Sequence, residues 1–295
     1  MVSESRLRLA SRGSPLAMAQ ATTVAHMLEA VHNSLSVEIV VVETVGDRRL
    51  DVPLHEIGGQ GIFAKEVQLA VLEGRADLAV HSAKDLPSAT PDGLVLAAIP
   101  ERVDPADVLV GRSLAGLGPG ALVATGSPRR KALLASLRPD LDFTELRGNM
   151  ASRLAKPGTD GIDAVVAARA ALERLGLLDL VAERFDPEEV TPQVAQGAIG
   201  VEVAVGTQAE ALVRVIDDEA VHRCVDAERS FLATLGAGCT APVGAWCTEN
   251  DGELELRGVL FDEETGRLRR ARHRGDDALA LGAAVARDVA GDGGG

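Results

Sequence analysis

The chain has 295 residues, 46% of them hydrophobic, which is length for two or three domains and apolar content for a large core. Lys and Arg total 30 against 44 Asp and Glu, and the net charge of -14 repels nucleic acid and anionic membrane surfaces. Aromatics make up 2% and Tyr is absent, so base-stacking platforms are poorly supplied and a polar or charged small molecule is the better ligand class.

Residues 1–6 lack the apolar run of a signal peptide, and no later stretch approaches a membrane span. Cys224, Cys239 and Cys247 show no paired spacing, which fits a reducing compartment and argues against a disulfide framework or a metal site. A soluble cytoplasmic protein is expected. Through the first two thirds, apolar strands at 7–10, 37–42, 79–80, 94–99, 122–124 and 164–167 alternate with amphipathic helices at 15–31, 63–72, 128–137 and 209–216, the pattern of parallel α/β layers. The last third reads as an α+β unit: a helix at 219–235, a Gly-rich loop, strands at 243–248, 254–261 and 268–273, and a helix at 278–289.

Taken in chain order, the first motif is Ser11-Arg12-Gly13-Ser14-Pro15, and it is echoed at Thr125-Gly126-Ser127-Pro128-Arg129-Arg130. Each reads as strand, Gly, Ser, Pro, helix, with Ser at the N-cap and Pro at the first helical position. Free N–H groups and the positive end of the dipole make such helix starts anion sites, and each copy carries Arg for bidentate pairing. Two capped helices with surface arginines remain the bland alternative. The polar stretch from Thr44 to His55 reads as a loop able to close over a site. Gly58-Gly59-Gln60-Gly61 opens a helix but matches neither a phosphate loop nor a dinucleotide fingerprint.

In His81-Ser82-Ala83-Lys84-Asp85-Leu86-Pro87 a cation and an anion sit side by side where an apolar strand ends, the usual ligand position of open α/β sheets. A strand at 141–146 delivers Arg147-Gly148-Asn149 and then Arg153; an Arg-Gly pair lets guanidinium and bare backbone approach a ligand together. Arg174 sits near a helix C-terminus, where pairing with the negative helix end and ligand contact both fit. Cys239 lies in a loop bounded by Gly and Pro, with no His at nucleophile-activating spacing.

This ordered set resembles the porphobilinogen deaminase (hydroxymethylbilane synthase) family over essentially the whole chain. HSAKDLP at His81 to Pro87, LRGN at Leu146 to Asn149 and the Gly238-Cys239 loop carry most of the likeness, with GGQGIF, ERLG and QGAIGVE between and around them. The resemblance implies a transferase that joins four porphobilinogen molecules head to tail, releases ammonia each time and hydrolyses the chain to hydroxymethylbilane. It also implies a dipyrromethane cofactor held by a thioether to Cys239. Its fold would be two α/β lobes of the solute-binding-protein type around a cleft, with residues 1–100 and 197–219 as the first, 101–196 as the second and 220–295 as a small C-terminal α+β domain. A monomer is expected.

Carried over residue by residue, Asp85 is the expected catalytic carboxylate, stabilising the cationic azafulvene left when ammonia departs. Lys84, Ser127, Arg129 and Arg130 are expected on the cofactor. Arg12, Ser14, Gln20, Phe63, Arg147, Arg153, Arg174 and Gln196 are expected on substrate, where arginines suit the acetate and propionate of every pyrrole. Departures from the family pattern are Gln60, Gly126, Pro128, and Arg169 with Ala171. The competing reading is a non-catalytic two-lobed module for polycarboxylates, which would leave Cys239 without a use.

Overall fold

The computed structural model describes residues 5–44, 63–236 and 241–291. The chain forms two compact units, residues 1–103 with 198–223 and residues 104–197 with 224–295.

The first unit is built on one sheet: β1 (Ser5–Ser11), β2 (Leu35–Val41), β3 (Leu78–Ser82), β4 (Leu94–Ala98) and β10 (Ile199–Ala204), in the order β2-β1-β3-β10-β4. β1 runs parallel to β2 and β3, whereas β10 is antiparallel to both β3 and β4. Strand alternation sorts the faces. Leu7, Leu9, Leu78, Val80, Val201 and Val203 pack with Ala21, Val24 and Leu28 of helix α1 (Pro15–Val31), while Ala10 and Ala79 pack with Val67 and Val71 of α2 (Lys65–Leu72).

The second unit repeats the plan. β5 (Asp107–Val110), β6 (Leu122–Ala124), β7 (Asp142–Thr144), β8 (Ile162–Ala168) and β9 (Val181–Arg184) take the order β7-β6-β8-β5-β9, with β7, β6 and β8 parallel and β5 antiparallel to β8 and β9. Helix α3 (Pro128–Leu137) covers one face through Leu133 and Leu134; α4 (Met150–Leu154) and α5 (Arg169–Arg174) cover the other through Met150, Leu154 and Leu172. In each sheet the antiparallel member is the first strand after the chain leaves the other unit. β5 and β9 escape a periodicity reading because both are four residues long, and β5 is buried on both faces. The expected 209–216 helix is α6 (Gln208–Val213) followed by a 3-10 turn, Arg214–Ile216.

The C-terminal part of the second unit is an antiparallel sheet of β11 (Val243–Asn250), β12 (Glu253–Asp262) and β13 (Arg267–Gly275), with α7 (Glu219–Thr234) and α8 (Ala278–Ala290). Gly258 lets the helices press on β12, since a Cβ there would lie 2.6 Å from both Phe231 and Val285. Its neighbour Val259 points to the other face and joins the core of Val123, Leu133 and Phe185. Among the described residues no helix is long and apolar enough to cross a membrane.

Candidate functional site

Two groups of polar side chains collect at the C-terminal ends of parallel strands, one group in each unit. In the first unit, adjacent β1 and β3 end at Ser11 and Ser82 and deliver Arg12-Gly13-Ser14 and Ala83-Lys84-Asp85. Ser14 has extended backbone (φ -68°, ψ 148°) and its Oγ accepts the Ala17 N–H at 3.3 Å, so its hydroxyl caps α1. The Arg12 guanidinium stacks over the Phe63 ring, 4.0 Å from its centroid. Gln20 is buried at 2% exposure and its Oε1 accepts from Ser82 Oγ at 3.0 Å, tying α1 to the end of β3.

Lys84 and Asp85 form a 3-10 turn, Ala83–Asp85, and are half-buried. The turn is seated on β10: the Ala83 N–H donates to the Ala198 carbonyl at 3.0 Å, and buried Leu86 lies where a Cβ on Gly200 would come within 3.0 Å of its Cδ1. On the α2 face beneath, buried His81 and Glu202 meet at 3.2 Å, and Glu202 also accepts from Gln68 Nε2 at 2.8 Å.

In the second unit, neighbouring β7, β6 and β8 deliver Arg147, the Ser127-Arg130 helix start, and Arg169 to Arg174. Ser127 caps α3 by accepting the Arg130 N–H at 3.4 Å. Asp107, fully buried at the start of β5, receives Arg129 at 2.7 Å, Arg130 at 2.6 Å and Gln196 Nε2 at 2.8 Å. Burial pushes the Asp107 carboxyl up, but the fields of Arg129 and Arg130 outweigh it and hold the group far below the usual carboxylate range. Burial likewise draws Arg129 below its ordinary value, opposed by Asp107.

Arg147 and Gly148 are exposed; Gly148 is left-handed at φ +99°, and a Cβ there would lie 2.2 Å from Ser152 Oγ. Arg153 Nε returns to the Gly148 carbonyl at 2.7 Å, while Arg174 Nη2 reaches the Gly197 carbonyl at 2.8 Å. Arg169 pairs with Glu173 and lies 3.5 Å from Asp104, which also holds Arg184. Gln196 is fully buried, donating to the Pro105 carbonyl at 2.7 Å as well as to Asp107. Cys239, Gln60 and the Thr44 to His55 stretch beyond Thr44 lie outside the described residues.

Sequence reading missed Asp107, Glu202 and Thr191. The only local signal was a carboxylate heading an apolar run, Asp107-Val108-Leu109-Val110. Each unit by itself suits an anionic ligand: cations gather at its strand ends, and in the second unit Arg130 Nε is, among the described residues, buried without a hydrogen-bond partner. Among the described residues no group of three or more His, Cys, Asp or Glu could hold a metal ion.

Residues 7–211 match the family model described as porphobilinogen deaminase, dipyromethane cofactor binding domain, and residues 222–291 match the C-terminal domain of the same family. Relatives named porphobilinogen deaminase include one from Roseiflexus sp. (strain RS-1), 44% identical over 98% of this chain and 97% of its own. Another, from Syntrophobacter fumaroxidans, is 41% identical over 96% of this chain and 92% of its own. The Acidothermus cellulolyticus relative is 44% identical over 96% and 88%. The methionine binding protein MetQ aligns over 76% of this chain and 94% of its own, at 12% identity and a TM-score of 0.45.

Proposed function

The chain belongs to the porphobilinogen deaminase family, transferases of tetrapyrrole biosynthesis with a dipyrromethane cofactor, and on that premise we propose which of its residues carry the reaction. The reaction joins four porphobilinogen molecules, each step forming a carbon–carbon bond with loss of ammonia, and ends in hydrolysis to hydroxymethylbilane. When bound, the dipyrromethane supplies the primer on which the chain grows.

Asp85 is the catalytic carboxylate. Departure of ammonia leaves a cation on the substrate pyrrole, and a carboxylate fixed on a short turn stabilises it and moves the pyrrole N–H proton. Lys84 cannot replace it, being itself a cation, and takes a carboxylate of the cofactor. Arg12, stiffened by Phe63, binds a substrate carboxylate in the first unit, and Arg147, Arg153 and Arg174 bind carboxylates in the second. Ser14 and Ser127 aim helix N-termini at anions while capping those helices. Gln20 holds Ser82 and so the approach to Asp85. Cys239 is the attachment point of the cofactor. Residues 1–100 with 197–219, 101–196 and 220–295 act as three domains, in a cytoplasmic monomer.

The observation that carries this reading is that adjacent parallel strands lead into Arg12 and into the turn bearing Asp85, so a cation and an anion are delivered to the same end of one sheet. Purified protein given porphobilinogen should release ammonia and form hydroxymethylbilane, and its intact mass should exceed the chain by two pyrrole units. Cys239→Ser should abolish that adduct. Asp85→Asn should keep the adduct and lose most turnover; near-normal rates would remove Asp85 from the mechanism.

A further inference from the structure

Asp107, Arg129 and Arg130 together keep one unit of positive charge inside the second unit. Among the described residues no second carboxylate pairs with either guanidinium, and Arg130 Nε has no partner at all. A buried cation with an unmet N–H is costly until an anion completes it.

The two arginines are not equivalent. The Arg129 side chain is 3% exposed: Nη1 donates to the Thr191 carbonyl at 2.6 Å, Nη2 to Asp107 at 2.7 Å, and a Cβ on Gly244 of β11 would lie 3.0 Å from its Cδ. The Arg130 side chain keeps 12% exposure, with Nη1 on the Val166 carbonyl at 3.2 Å and Nη2 on Asp107. Those two bonds leave three of its five N–H donors unused.

We propose that Asp107 is a positioning residue for cofactor capture, anchoring Arg129 as an internal strut and holding Arg130 as the cation presented to a cofactor carboxylate. Gln196 steadies Asp107 from the turn that precedes β10. That turn is itself held: Ala195 is left-handed at φ +57°, and its N–H donates at 2.6 Å to buried Glu228 of α7, which also takes the Cys247 N–H of β11 at 2.8 Å. Helix α7 and strand β11 thus brace the turn that fixes the arginine pair.

The inference rests on the reading of Arg130 as a cofactor contact, and the test separates the two. Wild type, Asp107→Asn and Arg130→Gln are purified and compared by far-UV circular dichroism, intact mass and turnover per loaded molecule. Asp107→Asn keeps its fold while its loaded fraction falls at least about ten-fold, the factor that about 1.4 kcal/mol gives. Turnover per loaded molecule stays within about two-fold, because a cofactor once attached by a thioether stays on the chain and Asp85 itself is unchanged. Arg130→Gln leaves Asp107 paired with Arg129 and Gln196, so it folds and loses loading equally; if Asp107→Asn does not fold, Asp107→Glu, which keeps the charge but moves the carboxylate, is read in its place. A folded Asp107 variant loaded as fully as wild type overturns the proposal, and so does a parallel fall in its per-molecule turnover; folded Arg130→Gln loaded as fully as wild type overturns the reading of Arg130 as a cofactor contact. Wild-type protein lacking the adduct, or an adduct surviving Cys239→Ser, overturns the cofactor reading instead.

Discussion

Gly200→Ala tests whether β10 seats the turn that carries Asp85. Gly200 lies opposite His81 in the β3–β10 register, and the added Cβ would sit 3.0 Å from Leu86 Cδ1, 3.2 Å from Leu96 Cδ1 and 3.6 Å from Ala83 Cβ. Ordinary contact begins at 3.4 Å, so the two leucine tips must retreat by about 0.4 and 0.2 Å. Leu86 is 2% exposed and directly follows Asp85, so part of the retreat of its tip is passed to the turn. Overpacking of a tight core costs about 1–3 kcal/mol, and the lower end applies because the obstacles are ends of flexible side chains. A carboxylate displaced by a few tenths of an ångström should lose less than the roughly hundred-fold that a 1 Å misplacement costs, giving about a three- to ten-fold drop in kcat with KM little changed. Urea denaturation reads the first quantity and steady-state formation of hydroxymethylbilane the second. Gly118→Ala is the control, since nothing lies within 4 Å of the Cβ it would add. If Gly200→Ala matches wild type in both midpoint and kcat, the turn is not seated as described.

Gly282→Ala would place a Cβ 2.3 Å from the Ala227 carbonyl and 2.8 Å from the Phe231 nitrogen, both backbone atoms, so α8 must lift from α7. A loss of about 3 kcal/mol or more in chemical denaturation is expected, and a loss below about 1 kcal/mol would contradict the packing. Ser82→Ala deprives buried Gln20 of its hydroxyl partner and should cost about 1–2 kcal/mol, with kcat reduced and cofactor loading intact by mass; unchanged stability would deny the link between α1 and β3. Asp77, Asp104 and Asp107 are each pushed up by burial and more strongly down by Arg8, Arg184 and the Arg129–Arg130 pair respectively. Depressed folded-state carboxyls give stability that is complete above the unfolded value near 4 and lost as pH falls through the lower folded values. Urea midpoints should therefore hold from about pH 7 to 5 and fall below about pH 4, and a midpoint rising on acidification would refute the assignment.

Much of the fold was legible because its signals are local. The Ser14-Pro15 and Ser127-Pro128 helix starts form as their sequences require, each serine capping its own helix. The Lys84-Asp85 turn falls at the end of the apolar strand that announced it. β5 stayed hidden because four residues buried on both faces carry no alternation, and with it went Asp107, whose importance lies in what converges on it from residues 129, 130 and 196.

Which residue types stand at strand ends, how the helices begin, and the family could all be read along the chain, because they depend on sequence neighbours and on an ordered set of motifs. The tertiary structure alone decided how similar residues differ in use. Arg129 and Arg130 are adjacent and chemically identical, yet one is locked on the Thr191 carbonyl and the other keeps an unpaired Nε. The difference arises because burial and hydrogen-bond partners come from segments tens of residues away, and an ion's energy inside a protein depends on those surroundings more than on its own identity.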